Sequence, residues 1–325
     1  MTKKIEVDSL IEISRKCLNS FVNPSAYDGI PTGYYQLDRV LDSLQSGNLI
    51  TLGGLTSMGK SAFALNIIRN VSVNYKIPTL LFSAEMKSED IVKRLFSIHC
   101  EIPYWKFNWA KLSEEEWKKW DAMSGDLNAP LYIENTHHLY IEDIERVAKE
   151  AVELYGIKLI VVDYLQMMYY KVKMNDSRYV EINSIICHLK SLAIELQVPI
   201  IVVSQLNRNI ESRDNGGWNC DDKIPQLSDL RDSGTIGDDS DVVMFIHRPE
   251  YFHIFQDEQG NDLRGITKLI IAKNRNGFKG TATFYFNEEC LSFRDIDEII
   301  KEESNLNNDS QDSPFEKSFG GGAPF

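Results

Sequence analysis

Gly54-Leu55-Thr56-Ser57-Met58-Gly59-Lys60-Ser61 is a complete G-x-x-x-x-G-K-[ST] stretch, and its reading decides the fold. Backbone N–H groups of such a loop converge on a phosphate, and the helix that follows aims its positive dipole end at the same point. Gly54 and Gly59 are expected to take backbone angles that a side chain would forbid, with Ser57 in the cradle between them. Lys60 would neutralise the β- and γ-phosphates of a nucleotide, and the Ser61 hydroxyl would ligate Mg²⁺. Asn48-Leu49-Ile50-Thr51-Leu52 ahead of the loop reads as a buried strand, and Ala62 to Val73 behind it as a helix. Strand, glycine loop and helix in that order predict a nucleotide-binding α/β domain.

Composition narrows the class further. The 325 residues are 43% hydrophobic and 26% charged, which is ordinary for a globular chain of one large or two small domains. No stretch approaches the roughly 18 apolar residues of a membrane span. The N-terminus lacks the apolar core of a signal peptide, because Glu6, Asp8 and Glu12 interrupt it. Cys17, Cys100, Cys187, Cys220 and Cys290 are scattered without a C-x-x-C pair, which suits reduced thiols in the cytoplasm. The net charge of −13 argues against a broad nucleic-acid-binding face. Seven acids against two lysines after Ile296 account for part of it, and an acidic body remains.

Along the chain, residues 1–28 read as a helical arm, with Leu10, Ile13, Cys17, Leu18 and Phe21 on one stripe. Self-packing of that stripe and packing on a neighbour are both open. Pro24, Gly29, Pro31 and Gly33 mark a turn-rich connector. Residues 29–296 alternate apolar runs with helical stretches. Strands are expected at 48–53, 79–84, 130–134, 157–162, 199–204, 241–246, 267–272 and 281–286. Helices are expected at 60–75, 88–99, 113–125, 141–155 and 178–197. Continuous runs such as Leu159-Ile160-Val161-Val162 suit a parallel sheet covered on both faces. The last strands, without helices between them, predict an antiparallel extension. Residues 297–325 read as a disordered acidic tail with a Pro-Phe end, similar to the docking tip of single-stranded-DNA-binding proteins or simply solubilising.

An NTP hydrolase also needs an acid for Mg²⁺, a base for water and a cation for the transition state. Asp163 ends an apolar strand, where the C-terminal edge of a parallel sheet meets its ligand. Glu85 follows the strand Leu80-Leu81-Phe82-Ser83 and is either a water-polarising base or a helix-start acid. Gln205 follows Val202-Val203-Ser204 and is either a γ-phosphate contact or a loop amide. Arg248, Lys273 and Arg275 are the candidate cations. Lys273-Asn274-Arg275-Asn276-Gly277 reads as a hairpin tip, solvated or offered to a phosphate outside its own subunit.

Taken together, several segments resemble the C-terminal motor domain of DnaB-type replicative helicases. They are Ser57-Met58-Gly59-Lys60-Ser61, Phe82-Ser83-Ala84-Glu85-Met86, Val162-Asp163-Tyr164-Leu165-Gln166-Met167 and Val203-Ser204-Gln205-Leu206-Asn207-Arg208. Leu227-Ser228-Asp229-Leu230-Arg231-Asp232-Ser233-Gly234, Asp239-Ser240-Asp241-Val242-Val243-Met244-Phe245 and the Lys273–Gly277 tip complete the set in collinear order. The resemblance implies a RecA-like phosphate-loop fold and a hexameric ring with ATP sites between subunits. In it Lys60, Ser61 and Asp163 hold ATP and Mg²⁺, Glu85 is the catalytic base and Gln205 the γ-phosphate sensor. Lys273 and Arg275 reach into the neighbour's site, with Arg275 the arginine finger. The arm would be the linker helix that docks on the adjacent subunit. Single-stranded DNA would meet Arg231, Asp232, Gly234 and the stretch from Arg208 to Ile224, so that six copies of a small loop supply charge the acidic body lacks. Primase, a helicase loader or a single-stranded-DNA-binding protein are the implied partners.

Three departures stand out. Asp232 replaces the family's usual Glu, and Phe278 its usual Pro. The collar-forming N-terminal domain is reduced to the arm, which implies a trimmed relative from a phage or mobile element. Alternatives are a RecA-like ATPase of recombination or assembly that does not unwind, or a truncated subunit that modulates another helicase ring.

Overall fold

A computed structural model describes residues 29–136, 139–170, 177–213, 223–230 and 234–299. The expected arm at 1–28, the tail beyond 299, and Arg231 and Asp232 lie outside the described residues. The strands are β1 (Leu49–Gly54), β2 (Thr79–Ser83), β3 (Leu131–Asn135), β4 (Leu139–Tyr140), β5 (Leu159–Asp163) and β6 (Met168–Tyr169). They continue with β7 (Ile200–Gln205), β8 (Val242–His247), β9 (Ile266–Asn274), β10 (Gly280–Asn287) and β11 (Ser292–Asp295). Nine of them form one sheet in the order β11-β10-β9-β8-β1-β7-β5-β2-β3, and β4 pairs with β6 beside it. From β8 to β3 the neighbours are parallel, and β9, β10 and β11 join antiparallel, as expected.

Burial explains why the two parts read differently in sequence. Every residue of β1, β2, β5 and β8 is buried, so these strands are nearly unbroken apolar runs covered on both faces. In β9 the buried positions alternate, with Thr267, Leu269 and Ile271 inward, because helices no longer cover both faces.

The helices are α1 (Tyr35–Leu41), α2 (Lys60–Ile68), α3 (Ser88–Cys100), α4 (Tyr104–Asn108), α5 (Glu114–Ser124), α6 (Ile141–Tyr155), α7 (Arg178–Leu196) and α8 (Gly234–Asp239). Seven of the nine residues of α2 are buried, so it is a central helix without a polar face. The single helix expected over 60–75 instead widens into a π-helical stretch at Arg69–Asn74. There the Ser72 hydroxyl donates to the Ile68 carbonyl, competing with the α-helical ladder. The expected helix at 113–125 begins one residue later, because Ser113 is its N-cap in a capping box with Glu116.

Chain order places the functional crevice. After β1 the chain crosses by α2 to β2, on the β3 side of the sheet. After β7 it crosses by α8 to β8, on the other side. Right-handed crossovers in opposite directions send the two connections to opposite faces. A crevice therefore opens at the C-terminal ends of β1 and β7, where the strand order reverses.

Candidate functional site

β1 delivers the chain into the phosphate loop at Gly54, and α2 leaves it at Lys60. Gly59 has φ +96° and Ser57 φ +63°, so the left-handed angle expected of Gly59 is present. Gly54 is not in that region, which corrects its expected role. A Cβ there would lie 3.0 Å from Lys60 Cγ, so Gly54 makes room for the lysine stem. Gly59 caps α2 without a side chain and leaves the first-turn amides open to an anion.

A cleft of about 540 Å³ opens over this loop and is lined by Thr56, Ser57, Gly59, Lys60, Ser61, Glu85, Asp163 and Gln205, among others. Lys60 folds back, its Nζ donating to the Leu55 carbonyl at 2.7 Å. Burial pushes its ammonium down to about 8, against the pull of Asp163 and Glu85. Asp163 is the last residue of β5 and 4% exposed, and its buried Oδ1 has no hydrogen-bond partner among the described residues. Burial raises its carboxyl and Glu85 adds to this, while a bond from Ser61 and the charges of Lys60 and Arg94 oppose it. An unpartnered carboxylate oxygen beside a hydroxyl at the phosphate loop is a donor set that fits Mg²⁺, which takes few protein ligands.

Glu85 is exposed toward the cleft. The first-turn acids of α3 are Glu89 and Asp90, so Glu85 precedes the helix and does not serve its dipole. Gln205 ends β7 opposite Gly54, and its Nε2 donates to Thr56 Oγ1 at 2.6 Å. The ends of four strands, β1, β2, β5 and β7, thus bring Lys60, Glu85, Asp163 and Gln205 around one volume.

Three cations line the cleft wall, of which Arg248 was a candidate from the sequence. Arg208, expected on a DNA-facing stretch, lines the cleft three residues past Gln205. Arg248 lines its far side, paired with Glu250 and 4.6 Å from the Phe286 ring centroid. Arg94 of α3 was not singled out from sequence. Its guanidinium stacks 5.4 Å from the Tyr104 ring, and its buried Nε has no hydrogen-bond partner among the described residues. No local motif marks it, because only the packing of α3 turns it inward.

Lys273 and Arg275 lie elsewhere. Lys273 Nζ donates to the Gly237 and Asp238 carbonyls at 2.8 and 2.7 Å. Arg275 pairs with Asp241 at 3.2 Å, and the other Asp241 oxygen accepts from the backbone N–H of Leu49. Leu49 is the first residue of β1, whereas the phosphate loop follows its last. Five strand steps separate these ends by about 17 Å. The two cations therefore sit at the opposite edge of the sheet from their own subunit's cleft.

The segments expected at DNA rise from stems next to Gln205. Leu206 bridges Leu230, and Asn207 N–H donates to the Asp229 carbonyl. The Asp229 carboxylate takes Arg213 on one oxygen and Gln226 N–H on the other, which ties 207–213 to 223–230. Gly234 is the first residue of α8.

Residues 29–295 match the DnaB-like helicase C terminal domain family. The replicative DNA helicase DnaB of Geobacillus stearothermophilus is 35% identical over 275 residues, which are 84% of this chain and 58% of the relative. The replicative DNA helicase DnaC of Bacillus subtilis is 36% identical over 270 residues, 83% and 57% of the two chains. A solved ATPase domain superposes with a TM-score of 0.78 at 30% identity, over 89% of this chain and 100% of that one. A DnaB-like replicative helicase, solved to describe its interactions with primase, gives 0.75 at 30% identity, over 89% and 67%. The chain thus spans rather more than half the length of the curated relatives it matches.

Proposed function

Because the chain belongs to the DnaB-like helicase C terminal domain family, we propose that it is an ATP-driven motor on single-stranded DNA whose active sites are shared between copies in a ring. The observation that carries this is the placement of Lys273 and Arg275 at the sheet edge remote from their own cleft. A subunit with a cleft at one edge and cations at another is built for head-to-tail contact, which gives a ring when the rotation between copies closes and a filament when it does not. In this reading 1–28 is a linker arm, 29–296 the motor and 297–325 a tail. The ring is a hexamer working in the cytoplasm, and a primase or loader is its protein partner. Among the described residues no helix is long and apolar enough to cross a membrane.

The residues divide the work as follows. Ser61 and Asp163 would hold Mg²⁺, which would supply neutralising charge to the phosphates. An incoming γ-phosphate offers Lys60 and Gln205 stronger acceptors than the Leu55 carbonyl and the Thr56 hydroxyl, so both side chains exchange partners. Glu85 orients the attacking water and takes its proton. Arg275 of the next copy meets the charge that develops on the transferred phosphoryl group. Arg248 and Phe286 give the cleft a flat cationic and aromatic wall for the base. When phosphate leaves, Gln205 returns to Thr56, and the Leu206–Leu230 bridge carries the shift toward Arg231, Asp232 and Gly234 at the DNA.

ATP hydrolysis measured with and without single-stranded DNA, followed by unwinding of a forked duplex, tests the reading. DNA-stimulated hydrolysis and unwinding are expected. Hydrolysis without unwinding would move the protein to the non-unwinding RecA-like ATPases, and no hydrolysis with Mg²⁺ and DNA present would overturn the motor.

Lys60 adds a pH signature. Its ammonium is held near 8 in the free cleft, and a phosphate beside it favours the charged form. ATP affinity is therefore full below about pH 8 and falls up to about tenfold per unit above it. Calorimetry at about pH 8.5 in two buffers of different ionisation enthalpy should show proton uptake on binding. Zero uptake, or affinity that rises with pH, would contradict this account of Lys60.

A further inference from the structure

We propose that Gln166 is the positioning residue for Gln205, its side-chain amide standing in for the strand that β7 lacks where β5 has ended. The inference rests on the reading of Gln205 as the γ-phosphate contact.

The β5–β7 ladder runs from Ile160↔Ile200 to Val162↔Val202 and goes no further. Among the described strands β7 continues to Gln205 with only β1 beside it, pairing Gly53 with Ser204 and Gly54 with Gln205. Leu206 N–H turns to β1, donating to the Gly54 carbonyl, so Gln205 N–H faces the open side. The Gln166 side chain fills that side. Its Oε1 accepts from Gln205 N–H at 3.1 Å, and its Nε2 donates to Ser204 Oγ at 3.1 Å. A primary amide has the donor and acceptor of a peptide group, so its oxygen takes the main-chain N–H next in the ladder past Val162 while its nitrogen anchors on the Ser204 hydroxyl.

The turn that carries Gln166 is itself fixed. Leu165 and Met168 on either side of it are buried. Arg178 donates to the carbonyls of Gln166 and Met168, both at 3.0 Å. The amide head is therefore a rigid post between Asp163, three residues earlier, and the end of β7. Gln205 works through a 2.6 Å contact with Thr56 of the phosphate loop, so its reach depends on where its backbone is held. A displacement near 1 Å can cost about 100-fold in a positioned catalytic contact. An apolar residue at 166 would leave Gln205 N–H without its partner and free that backbone.

The test is a double-mutant cycle on DNA-stimulated ATP hydrolysis by the full chain. Gln166→Leu should lower kcat by about 10- to 100-fold while leaving KM for ATP within about twofold. Added to Gln205→Ala it should cost less than about twofold more, since its effect runs through Gln205. Gln166→Glu keeps an acceptor for Gln205 N–H and should recover part of the loss. Multiplicative losses, or a rise in KM with kcat unchanged, would overturn the proposal. Amide hydrogen exchange supplies a readout independent of hydrolysis. Gln166→Leu should speed exchange at Gln205 while Ile200 to Val203 stay protected. Unchanged exchange at Gln205 would overturn the proposal, and so would loss of protection along all of β7, which would make Gln166 a general support of the sheet. A wild-type protein that hydrolyses no ATP while the exchange result holds would instead fault the reading of Gln205.

Discussion

Lys60→Ala should lower ATP hydrolysis by roughly 10²–10³-fold or more while leaving the protein folded. The loss follows from where the ammonium sits. Lys60 is largely buried at the mouth of α2, with Asp163 and Glu85 close enough to raise its pKa against the cost of burial. In that low-dielectric site a single positive charge on the β/γ-phosphates is worth far more than it would be in water. The fold should not suffer, because among the described residues the only hydrogen bond of the ammonium is to the Leu55 carbonyl. Alanine also removes a positive charge from the positive dipole end of α2. Relief of a desolvated charge offsets the lost contact, so the melting temperature should be unchanged or slightly higher. Circular dichroism melting together with a phosphate-release assay checks both halves. Hydrolysis within about threefold of wild type would mean that the chemistry is done elsewhere.

Much of the fold and about half of the site were legible in the sequence, for reasons that differ by residue. The eight principal strands fall within a residue or two of expectation, because strands covered on both faces leave long apolar runs such as Ile200-Ile201-Val202-Val203. Ser292-Phe293-Arg294-Asp295 was missed as β11, since four residues with two charges carry no period. The helix at Tyr35–Leu41 was missed for the same shortness. Lys60 is legible from the G-x-x-x-x-G-K-[ST] loop itself, and Asp163 and Gln205 because each closes a buried strand at the edge where ligands collect. Arg94 was not, because it sits mid-helix and only the rotation of α3 against Tyr104 aims it at the cleft. Arg208 lines the cleft as well as opening the stretch expected at DNA, and a loop residue three places past a strand gives no period from which its direction could be read. The Lys273–Gly277 tip was legible as a turn. That it faces away from its own cleft emerges only from the antiparallel register pairing Val242 with Asn274.

That last placement makes a mixing experiment decisive. Arg275→Ala alone should lose about 10³–10⁵ in hydrolysis, the value of an arginine finger. The subunit should remain folded. Arg275 is half exposed, and its partner Asp241 keeps Lys190 at 2.6 Å and the Leu49 N–H, so no buried carboxylate is orphaned. Lys60→Ala is inactive for the separate reason that its cleft cannot hold the phosphates. In a mixed ring, some junctions join the intact cleft of an Arg275→Ala subunit to the intact Arg275 of a Lys60→Ala subunit. Random mixing in equal amounts makes about one junction in four competent, so activity should return to at most about a quarter of wild type. A lower recovery would report that firing at one junction depends on its neighbours. If Arg275 served its own subunit's cleft, no molecule in the mixture would contain both residues and activity would stay at the level of the single mutants. Absence of recovery in rings shown by native mass spectrometry to be mixed would therefore place the finger elsewhere. Arg208 and Arg94, which already line the cleft within one subunit, would then be the cations to replace it.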